Sequence, residues 1–260
     1  MTFGFIGTGN MGGALATAAA KNAEVLLYDR DSRKASTLAE NLGCKAGTLN
    51  NAAACDFVVL GVKPQMMGEL FEELAPLLKK RTDRFVLLSM AAGVSMAQIR
   101  SYAGQDYPII RIMPNIPVSV GAGMILYDQI DVTQEELSAF IQTFSEAGRL
   151  KALPEKLIDA GAAVSGCGPA FAAMFAEALA DGGVACGLPR KDAAVLAAQT
   201  LFGSAKLLLE MQWHPGELKD AVCSPGGTTI AGVQALENDG LRAACMDAVV
   251  AAYKKTAKLA

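Results

Sequence analysis

Short, nearly continuous apolar runs alternate with helical periodicity through the first part of this chain. FGFI (3–6), EVLLY (24–28), FVVLGV (57–62), RFVLLS (84–89), YPIIRI (107–112) and GMILY (123–127) predict six strands. Runs this apolar have no polar face to turn toward water. They are therefore expected in a mostly parallel sheet covered on both faces by helices. Between the third and fourth runs, PQMMGELFEELAPLLKK sets Met67, Leu70, Leu74 and Leu77 at helical spacing. After about Lys151 the strand signals stop. Helical patterns rich in Ala, Gly and Leu follow over 155–183, 190–211, 215–222 and 228–238, and then from 241 to the end. Helices that are apolar nearly all round must be buried, and a segment of roughly 110 residues cannot bury that much surface alone. The expected organisation is an α/β domain over residues 1–152 and an all-α domain over 153–260 that forms an oligomer interface.

Composition narrows the class. Hydrophobic residues make up 52% of the chain and charged ones 19%, too apolar a balance for disorder. The formal net charge is −3 with no block of Lys or Arg, so no nucleic-acid partner is expected. The most apolar segment, LIDAGAAVSGCGPAFAAMFAEALA, is interrupted by Asp159, a Gly-Cys-Gly-Pro break and Glu177, and no membrane span is expected from it. The N-terminus carries a glycine motif rather than a basic-then-apolar leader. The six cysteines show no CxxC and read as reduced thiols of a cytoplasmic protein. With His214 the only histidine, no metal site is expected; before Pro215 it reads as a capping or packing residue.

GFIGTGNMGG places Gly7, Gly9 and Gly12 as GxGxxG directly after the first strand and at the start of a helix. In that context the motif is a dinucleotide fingerprint, and the α/β domain is of Rossmann type. Ile6, Thr8, Asn10 and Met11 complete the turn as cofactor candidates. The second strand ends in DRDSRK. Arg30, Ser32, Arg33 and Lys34 favour the 2′-phosphate of NADP(H), while Asp29 and Asp31 leave NAD(H) open. Later strand ends carry GVKPQ, with Val62, Lys63 and Pro64, and SMAAGVS, with Met90, Ala91 and Ala92. With RIMPNIPVSVGAG they suggest a cradle for the nicotinamide. Lys63 reads as a cofactor contact, a catalytic acid or a plain surface lysine.

A second glycine turn, CSPGGTTIAGVQALE (223–237), enters a helix near the chain's end. The first N–H groups of a helix lack partners, so this turn is a ready anion site.

Taken in order, GFIGTGNMG, GVKPQ, SMAAGV, RIMPNIPVSVGAG, VSGCGPAF and SPGGTTIAGVQALE resemble the pyrroline-5-carboxylate reductase family over essentially the whole chain. Cys167 stands where the family commonly has serine and Phe171 where it has tyrosine. The resemblance implies hydride transfer from NAD(P)H to the cyclic imine, giving L-proline. It also implies a C-terminal dimerisation domain, dimers joined into larger rings, and a substrate site shared between the two chains of a dimer. Ser224, Gly226, Gly227, Thr228 and Thr229 would bind the substrate carboxylate or ring nitrogen, with Thr229 and Lys63 the catalytic candidates. Glu155 matches a family glutamate near the substrate, and Asn50 a family asparagine on the cofactor ribose. Reduction of another cyclic imine and a β-hydroxyacid dehydrogenase-like activity are the alternatives. The latter relies on an interdomain-helix lysine, and residues 157 to 183 contain none.

Overall fold

The structure, a computed structural model, describes residues 1–256. Its first half is one eight-stranded sheet. In chain order the strands are β1 (Thr2–Ile6), β2 (Glu24–Tyr28), β3 (Lys45–Ala46), β4 (Phe57–Leu60), β5 (Val86–Ser89), β6 (Ile109–Pro114), β7 (Gly123–Ile130) and β8 (Gly148–Ala152). Their spatial order is β3-β2-β1-β4-β5-β6-β7-β8, and every pairing is parallel except β6 with β7. All six expected strands are present. The two additional ones lie at the edges. β3 is two residues long and exposed, and β8 (GRLKA) pairs on one side only, so neither carries the apolar signal of a strand covered on both faces.

Alternation along the central strands divides the core. Phe3, Phe5, Phe57, Val59, Leu88, Ile110 and Ile112 point to one face, where they meet Leu15 and Ala16 of α1 (Asn10–Ala19) and Phe140 and Phe144 of α6 (Gln134–Phe144). Ile6, Val58, Leu60, Leu87 and Ile109 point to the other. That face is covered by α3 (Leu49–Ala53), α4 (Met67–Lys79) and α5 (Met96–Ala103), through Ala52, Met67, Leu74 and Ile99. Each fully buried Phe, Leu or Ile contributes about 1.5–3 kcal/mol by leaving water. The remaining helix of this part, α2 (Ser32–Leu42), starts on an Asp31 side-chain cap and ends at Gly43 in the left-handed region (φ 66°).

Packing divides the described residues into two units: Met1–Gly166 with 252–256, and Cys167–Ala251. Helix α7 (Glu155–Ser165) goes with the sheet, because Ile158, Ala162 and Ala163 are buried there. The first unit thus runs one helix beyond the boundary expected after residue 152. A turn at Gly166–Cys167 separates α7 from α8 (Gly168–Ala185), so the long 155–183 pattern forms two helices.

The second unit holds α8, α9 (Arg190–Met211), α10 (Pro215–Val222), α11 (Thr228–Asn238) and most of α12 (Leu241–Thr256). Its internal core is small: Ala180, Ala193 and Ala197, with Val184 packed against them. No residue of α10, α11 or α12 is buried, while Met174 is 70% exposed, Val195 68%, Phe202 59% and Met246 63%. The stretches Glu155–Ala185 and Arg190–Met211 are long and apolar enough to cross a membrane by length and composition, despite the interruptions seen in the sequence. The single chain buries only 6% of each apolar window. His214 caps α10: its Nδ1 accepts from the Gly216 N–H at 3.1 Å, and Glu217 accepts from the His214 N–H at 2.9 Å.

Candidate active site

The turn after β1 is built by its glycines. Gly7 has φ +101°, a left-handed value that favours glycine, and its N–H donates to the Tyr28 carbonyl at 2.8 Å. A Cβ on Gly12 would lie 2.2 Å from the Gly7 carbonyl oxygen, so α1 can pack on the turn only with glycine there. Gly9 differs. Its φ of −65° is ordinary, and a Cβ would meet nothing within 4 Å. It is the N-cap of α1, with no side-chain cap and no acid in the first turn. The N–H groups of the first turn, from Asn10 and Met11 onward, therefore present an uncompensated positive end.

Asp29 is occupied within its own loop. It accepts from the Thr8 N–H at 2.7 Å, the Thr8 hydroxyl at 3.0 Å and the Asp31 N–H at 3.0 Å. Asp31 in turn accepts from the Arg33 N–H at 3.2 Å to cap α2. The two aspartates that kept NAD(H) open thus both shape backbone. Ser32, Arg33 and Lys34 are exposed at the start of α2, and Arg30 pairs with Glu69 at 2.7 Å. A cleft of about 260 Å³ opens at these strand ends, lined among others by Gly7, Gly9, Arg30, Lys34, Val62 and Lys63.

Lys63 is extended (φ −66°, ψ 149°) and exposed, and Pro64 begins a short 3-10 turn after it. At the exit of β5 the buried Ser89 hydroxyl accepts from the Ala91 N–H at 3.4 Å. The Ala91 side chain is buried, while Met90 and Ala92 are half-buried. Near the cleft, Asn51 closes a capping box with Thr48 (3.0 and 3.3 Å). Asn50 is exposed on the same turn, next to the cleft-lining Leu49.

Sequence reasoning missed a polar junction at the far end of the sheet. Arg111, 3% exposed on β6, reaches Asp159 at 2.7 Å and Glu155 at 3.3 Å on α7. Glu155 also accepts from the Met96 N–H at 2.7 Å, and its own N–H donates to Asp128 at 2.6 Å. Asn115 accepts from the Met124 N–H and donates to the Ser165 carbonyl, both at 2.8 Å. The RIMPN segment thus fastens α7 to the sheet, and Glu155 has a structural task there. The only available signal was an arginine inside an otherwise apolar strand. Arg111→Met should lower unfolding free energy by about 3 kcal/mol, the low end for a broken buried pair because both carboxylates are partly exposed. Urea denaturation measures this.

The second glycine turn lies in the helical unit. Gly226 has φ +67°, and the Gly227 N–H donates to the Ser224 carbonyl at 3.0 Å to close the turn. Gly227 is the N-cap of α11, again with no side-chain cap and no acid in the first turn. Neither Ser224 nor a threonine caps this helix, so the first N–H groups around Thr228 and Thr229 stay open. Thr229 is half-buried, whereas Ser224 and Thr228 are exposed.

The family model described as pyrroline-5-carboxylate reductase dimerisation matches residues 155–259, and that for NADP oxidoreductase coenzyme F420-dependent matches residues 2–93. The chain is 40% identical over 267 residues to pyrroline-5-carboxylate reductase of Pisum sativum, covering 99% of this chain and 96% of the relative. The pyrroline-5-carboxylate reductase structure from Coxiella burnetii superposes with a TM-score of 0.90 at 30% identity, over 100% of this chain and 97% of that one. The NADP-bound pyrroline carboxylate reductase of Plasmodium falciparum gives 0.86 at 30% identity, over 99% and 97%. The chain belongs to the pyrroline-5-carboxylate reductase family.

Proposed function

We propose that this chain reduces the cyclic imine of pyrroline-5-carboxylate to L-proline with NAD(P)H, the last step of proline synthesis. One observation carries the reading. Two helices, α1 and α11, begin on glycine N-caps with neither a side-chain cap nor an acidic first turn. The reaction needs two anion cradles, one for the cofactor pyrophosphate and one for the substrate carboxylate.

The bound nicotinamide supplies the hydride. Residues Ile6 to Gly12 hold the pyrophosphate, with Gly9 leaving room for its approach. Arg30, Ser32, Arg33 and Lys34 face a 2′-phosphate, which supports a preference for NADP(H) with NAD(H) still accepted. Asn50 would hold the ribose, and Val62, Lys63, Pro64, Met90, Ala91 and Ala92 would hold the rest of the dinucleotide. Lys63 shares a cleft with Gly7, Arg30 and Lys34, which favours a cofactor contact over an acid.

Ser224, Gly226, Gly227 and Thr228 hold the carboxylate, and the Thr229 hydroxyl accepts from the N–H of the protonated imine. Protonation makes the imine carbon, the future C5 of proline, electrophilic. As hydride arrives there, the C=N π pair returns to nitrogen and the positive charge disappears. No covalent intermediate is required; the protein's contribution is orientation and charge.

The chain self-associates through its helical unit, and the dimers are proposed to join into a ring. The large exposed apolar surface of that unit supports self-association. All six cysteines are free, in keeping with a cytoplasmic enzyme.

Thr229→Ala tests the second cradle. Removing one hydrogen bond to a charged group costs about 1.5–3 kcal/mol. Steady-state kinetics should show kcat/KM for the imine falling by about ten- to a hundredfold, with the cofactor KM little changed. Equal effects on both would remove Thr229 from the substrate site.

A further inference from the structure

Glu73 lines the cofactor cleft, and Glu69 pairs with the cleft-lining Arg30 from just outside it, two acidic groups that a phosphate site does not need. Glu69 and Glu73 lie one turn apart on α4. Glu69 holds the Arg30 guanidinium at 2.7 Å, with both side chains about half-exposed (49% and 57%). Glu73 lines the cleft beside Arg30 and Lys34. We infer that Glu69 and Glu73 set the cofactor selectivity of this enzyme, by competing with the 2′-phosphate of NADPH for Arg30 and Lys34.

This rests on the dinucleotide reading of the cleft. An incoming 2′-phosphate meets an Arg30 that Glu69 already holds and on which the Glu73 charge also acts, so part of the local positive charge is already offset. The hydrogen bond from Arg30 holds the Glu69 carboxyl below the usual carboxylate range, and the pair therefore stays ionised at neutral pH. NADH lacks the phosphate and is indifferent to the pair. The result is a smaller preference for NADPH than the cationic DRDSRK segment suggests.

The test is direct binding of NADPH and of NADH, followed by nicotinamide fluorescence without any imine. It compares the parent chain, Glu69→Gln, Glu69→Gln/Glu73→Gln, and Glu72→Gln as an exposed control on the same helix. Removing one negative charge beside the phosphate site should tighten NADPH about three- to tenfold in Glu69→Gln, and further in the double variant. NADH affinity and the Glu72→Gln control should stay within about twofold of the parent. Unchanged NADPH affinity overturns the inference, as does weaker NADPH binding, which would make Glu69 a support for Arg30. Equal tightening of both dinucleotides also overturns it. Failure of the parent chain to bind either dinucleotide is a distinct result, since it removes the cofactor reading itself.

Discussion

Gly9→Ala is expected to melt close to the parent chain and to lose about a hundredfold in NADPH affinity. A Cβ on Gly9 meets nothing within 4 Å, and φ −65° suits any residue, so the folded chain has no cause to object. Alanine is a poorer N-cap than glycine, a cost of about 1 kcal/mol or less. In the proposed binding mode the methyl group would instead occupy the space through which the pyrophosphate approaches the first turn of α1. Two lost charge-assisted hydrogen bonds cost about 3 kcal/mol or more, which is the hundredfold. Gly12→Ala provides the contrast. Its Cβ would sit 2.2 Å from the Gly7 carbonyl oxygen, so α1 must move off the sheet and stability should fall with affinity. Thermal melts with dinucleotide titrations separate the two. Loss of stability in Gly9→Ala equal to that in Gly12→Ala would mean that Gly9 serves the fold and not the cofactor.

The second large effect concerns the helical unit. Its internal core is three buried alanines with Val184, and α8 and α9 leave Met174, Val195, Leu196 and Phe202 mostly exposed. Such a unit has almost no stability of its own, and association must supply it. Dissociation and helix loss should therefore coincide. The thermal midpoint should rise with protein concentration, by several degrees over a hundredfold range. Circular dichroism and sedimentation on the same samples decide it. A midpoint independent of concentration, with a folded monomer in sedimentation, would contradict an obligate oligomer.

These expectations show which features the sequence carried. The six central strands were legible because burial on both faces demands unbroken apolar runs such as FVVL and VLLS. β3 and β8 were not, because an edge strand has fewer apolar neighbours to satisfy. The glycine turns were legible as helix entries because their spacing ties turn and helix together. Local reading could not reach the partners of Asp29, Glu155 and Arg30. Asp29 left NAD(H) open, and no local signal showed that Thr8, twenty-one residues earlier, bonds its carboxylate. For Glu155, expected near the substrate, no local signal pointed to its pairing with Arg111, forty-four residues earlier. Such contacts depend on strand order, which periodicity does not encode. The dimerisation face was visible as an excess of apolar helix, although its partner surface was not.

Deuterium transfer is the most direct test of the reaction. The purified chain is incubated with pyrroline-5-carboxylate and NADPH, or NADH, carrying deuterium at both positions of nicotinamide C4. The expected result is consumption of reduced cofactor matched by L-proline carrying one deuterium at C5, with NADPH turned over at least as well as NADH. No turnover of the imine with either cofactor, or proline formed without deuterium at C5, would contradict the assignment.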